Sequence, residues 1–571
     1  MWQRDVASLA AEPLDVLIIG GGINGAATAR ELALAGWRVG LVEKEDFGWG
    51  TTGRSTRLIH GGLRYLELFD FGLVRASLRE REILLHLAPH LVRPLPFLTP
   101  VYQDDPHRFF TVRMGMVLYD LLSYDKSLPS HRVLTRRQLL DLEPGLRQEG
   151  LTGGFEYYDA QVAFPERLTL TYLRAAARAG ARVVNHAAVN RLITDERNTG
   201  GSPAGAPHTG RRVVGAEVVD LLAPGQPAYR VQARLVLNAA GPWADVVNRQ
   251  SVPGYRANLR LTKGIHLVIP AFLQSERAMV MLARRDGRLF FSIPWQGFTL
   301  VGTTDTDYDG DLDHVVTTAD DVRYLQESTR FYFPDVRLEP IYLTTAGLRP
   351  LVRAARALRS RAASQQAGEL SASAVSRRHA IRDHAAEGVP GLVSVLGGKI
   401  TDARVVAQDA ALVVERLLGP APVRRRERLK LSRTQVLPGG EIDDPASEAQ
   451  ALRGLGVGES EAGRWVSLYG SEAAELAGRA RSAGVGAPAG TTGDHHWLRA
   501  EVAWAVTEEM ARTTADVLLR RTGLGLRPGL GLDLAARVAG WVGEILGRSE
   551  EEQRRDLESY RHTVAELLPQ D

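Results

Sequence analysis

The sequence predicts an α/β chain: a Rossmann-like nucleotide-binding domain, a second domain built on an antiparallel sheet, and a C-terminal all-helical domain. Three observations carry this. Asp15 to Glu43 reads as strand, glycine-rich turn, helix and strand. The middle of the chain holds short alternating strands separated by turn residues, and beyond about Arg424 helical patterns between glycine-rich turns take over. A chain of 571 residues is too long for one core, so two or three domains are expected.

The first element organises the rest. Asp15 to Ile19 is an apolar run that ends in Gly20-Gly21-Gly22-Ile23-Asn24-Gly25, a G-x-G-x-x-G that encloses Asn24. Gly20 permits the tight turn, Gly22 lets backbone N–H groups approach a pyrophosphate, and Gly25 lets the helix press on the strand. The helix N-terminus offers unpaired donors and a partial positive charge to phosphates. Ala26, Ala29, Leu32 and Ala33 share one helix face, and Val39 to Val42 is the second strand. Glu43, at its end, stands where a carboxylate accepts from both ribose hydroxyls and repels a 2′-phosphate, which argues against NADP. The motif leaves FAD and NAD open; its place at the extreme N-terminus favours a flavin.

Composition narrows the class. Hydrophobic content of 44% and charged content of 24% are ordinary for a globular protein. A net charge of +3 is too small to suggest a nucleic-acid partner. With no cysteine there are no disulfides, cysteine-ligated iron–sulfur clusters or cysteinyl flavin links. The N-terminus lacks a long apolar stretch and no window holds 18 uncharged apolar residues, so a cytoplasmic protein is expected.

After Glu43, a loop of glycines and hydroxyls from Asp46 to Glu67 suits backbone passing close to a cofactor. Phe71 to Ala88 is helical, and Arg93 to Leu151 leaves the nucleotide domain. Leu168 to Ala179 is a helix and Ala181 to Val184 a strand. Glu196 to Arg211 and Ser360 to Ser373 read as loop insertions. Val213 to Val219 and Arg230 to Leu237 alternate like a hairpin, and Arg285-Asp286-Gly287-Arg288 reads as a hairpin turn. Leu392 to Val395 is a strand, Asp402 to Leu418 a helix, and Leu498 to Arg521 the clearest C-terminal helix. The expected division is 1–95, 152–255 and 375–420 for the nucleotide domain, 96–151 and 256–374 for a substrate domain, and 425–571 for the helical domain.

DVLIIGGGINGAATA, STRLIHGGLRYLE, LNAAGPWAD, LTKGIHLV, LVGTTDTDYDGD, AGLRPL, VSRRH and LGGKITDAR follow one another in this order. Together they resemble the FAD-dependent, quinone-linked glycerol-3-phosphate dehydrogenase family, within the D-amino-acid-oxidase-like flavoproteins. EVAWAVTEEMARTTADVLLRRT resembles that family's helical C-terminal domain. The chain departs at Ser55-Thr56-Arg57, where the family usually carries serine-serine-lysine. The resemblance implies hydride transfer from sn-glycerol 3-phosphate to FAD, giving dihydroxyacetone phosphate. It also implies onward transfer to membrane quinone from a peripheral position on the inner face of the cell membrane. A homodimer is left open.

Such a site needs a phosphate clamp, a base and a positive charge near the flavin. Arginine meets phosphate bidentately, and Arg64, Arg349 and Arg377 lie inside matched motifs, with Tyr65 beside the first. His266 in KGIH is the first choice of base, with His60 and His379 as rivals. Lys399 suits the positive charge or a substrate contact. The cofactor set implied by the resemblance is Gly20, Gly22, Asn24, Gly25, Glu43, Thr52, Ser55, Arg57, Leu58, His60, Gly62, Gly241, Trp243, Gly398, Lys399 and Thr401. No metal is assigned. Asp305 to Gly310 opens like a calcium loop but carries Val316 where a bidentate glutamate is required, and His495-His496 lacks further ligands at suitable spacing. The basic run Arg424 to Lys430 reads as a solvated linker or a lipid-facing patch. Competing readings are a glycerol-3-phosphate oxidase that uses oxygen, an amino-acid or amine oxidase of the same fold, and a non-catalytic flavin-binding regulatory protein.

Overall fold

A computed structural model describes residues 2–67, 69–195, 211–252, 254–353, 378–482 and 496–570. The strand Leu14–Ile19 is buried along its whole length at the centre of the first sheet. It pairs in parallel with Val39–Val42 on one side and Tyr229–Asn238 on the other. Arg182–Val184 and Leu392–Leu396 extend the parallel set outward, and Ala380–Asp383 closes one edge antiparallel. Strand alternation sorts the side chains into layers. Val16 and Ile18 pack under the helices Ile23–Leu34, Pro165–Arg178 and Ala403–Leu418. Leu17 and Ile19 face an antiparallel layer made by Ala187–Asp195 and Arg212–Asp220. Tyr229–Asn238 belongs to both layers: its start pairs antiparallel with Arg212–Asp220 and its end runs beside Leu14–Ile19.

The second sheet is antiparallel except where Ala278–Leu282 runs alongside Val92–Tyr102. It takes in Leu58–Ile59 and Leu151–Val162 from the flanks of the nucleotide domain. Ala278–Leu282 and Leu289–Trp295 form the hairpin expected around Arg285 to Arg288, with Gly287 at φ +69° in its turn. Leu259–Pro270 lies between Phe298–Gly302 and Leu343–Val352. Its odd residues Ile265, Leu267 and Ile269 pack under the helix Ala319–Tyr332, so its even residues look the other way.

The C-terminal helices share a core around Trp465, Tyr469, Val502, Val538 and Tyr560. Two expectations are corrected here. Leu498 to Arg521 is not one helix: His496–Glu508 ends, Met510 takes a φ of +60°, and a π-helix resumes at Asp516–Arg521. The carboxylate of Asp516 accepts from the backbone N–H groups of Arg512 and Thr513, which fixes the break as a second helix start. The run Arg424 to Lys430 is not a linker but opens the helix Arg425–Thr434. Arg428 within it is fully buried against Glu31 and Glu415, which ties the helix to the nucleotide domain. The two loop insertions and His495 lie outside the described residues, apart from Arg211.

Candidate active site

A cavity of about 450 Å³ opens along the ends of the parallel strands and runs to the second sheet. Glycines shape its nucleotide end. Gly20 has φ +109°, and a Cβ there meets the Ala239 carbonyl oxygen at 2.6 Å. Gly25 leaves no room for a side chain against the backbone of Gly20. Gly22 caps the helix Ile23–Leu34 without a side chain of its own, and Gly22, Ile23 and Asn24 at the helix start line the cavity. Thr52 Oγ1 accepts from Ile23 N at 3.2 Å. Asn24 donates to Gly397 O, while its Oδ1 is buried with no partner among the described residues. Glu43 accepts from Gly21 N at 2.6 Å and Glu45 N at 2.9 Å, which leaves each oxygen a further lone pair for a hydroxyl. Burial pushes its carboxyl above the usual range. A glycine-capped helix start on the cavity, an orphaned acceptor and a carboxylate at the strand end fit a dinucleotide.

Opposite lies the second sheet. The register pairs Thr262 with Arg349, Gly264 with Gly347, and His266 with Thr345. Residues two apart share a face, so His266 and Arg349 project from the same side, with the paired glycines between them as a floor without side chains. Arg349 folds back over Gly264, where any Cβ collides with its guanidinium. It donates to Thr303 Oγ1 at 2.7 Å and meets Asp305 Oδ1 at 3.4 Å. His266 is 2% exposed. Its Nε2 lies 2.9 Å from Thr56 Oγ1 and its Nδ1 3.2 Å from Thr345 Oγ1. Burial first, then the charges of Arg349 and Arg57, push its pKa down to about 3, so it stands neutral rather than poised near 7.

The glycine turn before Ala403–Leu418 supplies the third wall. Gly398 has φ +94° beside Asn24. Lys399 donates to Ser77 Oγ at 2.7 Å, lies 3.4 Å from Asp402, and sits over the Tyr65 ring at 4.7 Å. Thr401 Oγ1 accepts from His60 N at 3.2 Å.

Of the residues expected at the site, His266, Arg349, Lys399, Gly20, Gly22, Asn24, Glu43, Thr52, Ser55, Arg57, Leu58, His60, Gly241, Trp243, Gly398 and Thr401 all line the cavity. Gly25 and Gly62 stand behind its wall, and Tyr65 sits beneath Lys399. The Arg64 side chain and Arg377 lie outside the described residues. Arg57, in place of the family's lysine, is 2% exposed and forks onto both oxygens of Glu166, with Trp295 4.7 Å away. Its charge is thereby committed to the wall. His379 pairs with Asp409 at 2.8 Å, away from the cavity lining. Sequence reasoning missed Thr56, Arg54, Lys44 and Trp49. Lys44 bridges Asp313 and the Trp243 ring at the cavity mouth, and Arg54 stacks over Trp49 at 4.5 Å.

Fold and cavity define an FAD-dependent oxidoreductase, and the family model of that description matches residues 15–404. A second model, the C-terminal domain of alpha-glycerophosphate oxidase, matches residues 431–553. Among similar proteins, a glycerol-3-phosphate dehydrogenase of Synechocystis is 36% identical over 98% of this chain and 97% of its own. An alpha-glycerophosphate oxidase of Streptococcus pneumoniae is 33% identical over 98% and 97%. The solved glycerol-3-phosphate dehydrogenase of Bacillus halodurans, complexed with FAD, has a TM-score of 0.75 at 27% identity, covering 98% of this chain and 96% of that one. The chain belongs to the family of FAD-dependent glycerol-3-phosphate dehydrogenases and oxidases, and FAD is its cofactor.

Proposed function

We propose that the protein oxidises sn-glycerol 3-phosphate at C2 to dihydroxyacetone phosphate and passes the electrons to a membrane quinone. The observation that carries this reading is that Arg349 and His266 stand on one sheet face, on either side of the Gly264–Gly347 floor. FAD supplies the acceptor for the hydride that leaves C2. The Arg349 guanidinium takes the phosphate, since its fork matches two phosphate oxygens and stays charged. His266 is neutral, as a proton acceptor must be. With Nδ1–H donating to Thr345 Oγ1, Nε2 accepts from the Thr56 hydroxyl and takes the C2 hydroxyl proton through it. Arg349 helps hold this pKa low, so phosphate bound to Arg349 raises the basicity of His266 when substrate arrives. Lys399 brings a positive charge to the cavity wall where negative charge builds.

A quinone acceptor requires attachment to a lipid surface. Among the described residues no helix is long and apolar enough to cross a membrane. The helix Phe109–Leu122 instead exposes Phe110, Met114, Val117 and Leu121 at helical spacing, with Phe69 and Tyr124 exposed as well and Arg108 and Arg113 open to solvent. Phe110 is 71% exposed and Leu121 65%, a face that supports lying in the bilayer interface. Anaerobic mixing with glycerol 3-phosphate should bleach the flavin absorbance, and a short-chain quinone should restore it. Met114→Glu with Leu121→Glu should weaken binding to anionic liposomes while activity with a soluble dye persists. Full turnover in air with stoichiometric peroxide and no gain from quinone replaces the dehydrogenase reading with the oxidase one.

A further inference from the structure

The C-terminal helices reach the cofactor cavity from behind through a buried charge network. Asp46 is fully buried three residues after Glu43. Its Oδ2 accepts from Arg520 Nε and Arg521 Nη1, each at 2.6 Å. Its Oδ1 accepts from Arg521 Nη2 at 2.9 Å and from Asn185 Nδ2 at 2.8 Å. Asp516 in turn accepts from Arg520 Nη2 at 2.7 Å and pairs with His186 Nε2 at 2.9 Å. Asp46, His186 and Asp516 bring three ligand-type atoms within 4.8 Å of one another. The Arg520 guanidinium already bridges the two carboxylates and Arg521 forks onto Asp46, so the grouping is an ion-pair network and not a metal site.

The π-helix makes this network possible. With i→i+5 bonding each residue turns by roughly 80° rather than the 100° of an α-helix. Counting from Asp516, Arg520 and Arg521 then fall on either side of it on one face, whereas an α-helix carries Arg521 well round toward another face. All three side chains are buried.

What the network holds is the adenosine end of the cavity. Glu43 N donates to Val184 O, Ala187 N to Glu43 O, and His186 N to Glu45 O. The segment Glu43 to Asp46 is thus laced to Asn185 to Ala187. Glu43 and Lys44 line the cavity on one strand of this lacing, and Ala187, Ala188 and Val189 on the other. Asp46, Asn185 and His186 lie off the cavity lining: Asp46 and His186 end on Asp516–Arg521, and Asn185 donates to Asp46 and to Met510 O.

We propose that the C-terminal domain positions the adenosine half of FAD, through the contacts of Asp516, Arg520 and Arg521 with Asp46 and His186. These are positioning residues, since none of them lines the cavity. The two halves of the cofactor then depend differently on them: ADP carries the adenosine half alone, and FMN the flavin half.

The test follows FAD release from the full-length holoenzyme by recovery of flavin fluorescence, then titrates the apoprotein with FAD, ADP and FMN. Arg521→Lys keeps the charge but loses the fork. His186→Gln lies at the edge of the network. The double variant Asp46→Asn with Arg521→Gln removes both charges together, so no buried charge is stranded if a single change prevents folding. We expect FAD and ADP to weaken by about tenfold or more in the double variant, the scale on which supporting partners tune a site. FMN affinity should change by less than about twofold, and Arg521→Lys should recover part of the ADP loss. Equal weakening of ADP and FMN reports general loosening and overturns the proposal, as does unchanged ADP affinity in all three variants.

Discussion

His266 and His186 are both buried, yet their surroundings drive them in opposite directions. Around His266 stand two hydroxyls and the charges of Arg349 and Arg57, and burial with those charges pushes it down to about 3. Burial pulls His186 down as well, but the carboxylates of Asp516 and Asp46 outweigh it and hold the imidazole above its ordinary value against Arg520. At the domain junction each carboxylate meets a cation. At the substrate end cations stand beside a neutral histidine that has no acid hydrogen-bonded to it. There the carboxylates, Glu166 on Arg57 and Asp305 on Arg349, meet the cations and not the imidazole, so His266 stays neutral and able to take a proton.

The largest effect should come from breaking the neutral side of this contrast. His266→Ala is expected to slow flavin reduction by roughly 10²–10⁴-fold, with a smaller deficit at high pH where the alcohol ionises more readily. Stopped-flow absorbance measures it. A normal rate moves the base to His60, the other histidine in the cavity wall among the described residues. Next is the cation: Arg349→Ala should cost on the order of 2–5 kcal/mol in substrate binding with FAD content unchanged. Arg349→Lys should restore only part of this, because an ammonium lacks the fork. Equal KM and kcat in the alanine variant and the parent remove Arg349 from the phosphate site. A milder way to disturb the same pair is Gly264→Ala, whose Cβ collides with the Arg349 guanidinium. KM should rise while the rate at saturation holds.

The contrast also marks what a sequence can disclose. Gly20 to Glu43 was legible because strand, turn, helix and acid are neighbours in the chain, and each has a local reason. The Gly264–His266 and Gly347–Arg349 spacings were visible in KGIH and AGLRPL. That they face each other depends on the pairing of His266 with Thr345, which is set by tertiary packing. Thr56 as the partner of His266 had no signal beyond its place in a hydroxyl-rich loop. Asp46 and Arg521 are 475 positions apart, and no local pattern announces such a pair. The apolar periodicity of Leu498 to Arg521 concealed the break, since Met510 and Asp516 interrupt the backbone and not the hydrophobic stripe. Arg428 looked solvated because its carboxylate partners, Glu31 and Glu415, lie outside its own run.

The smallest expected effect is in stability, and it tests the two histidines against each other. His266 stays neutral in the folded chain down to about pH 3, while an unfolded histidine takes a proton near 6.5. Between those values the unfolded state binds the extra proton, so stability from this group is present above about 6.5 and lost as pH falls. The loss can reach about 1.4 kcal/mol per pH unit, and His90, also pushed to about 3 by burial, adds to it. His186 runs the other way. Its folded pKa is raised, so its contribution is present below the unfolded value and lost as pH rises through the folded one. Thermal unfolding midpoints from about pH 5 to 9 at saturating FAD separate the two. His266→Gln should flatten the acid side of the profile only, and His186→Gln the neutral-to-alkaline side only. If both variants flatten the same side, the two histidines share one protonation state and the opposition between the two regions fails.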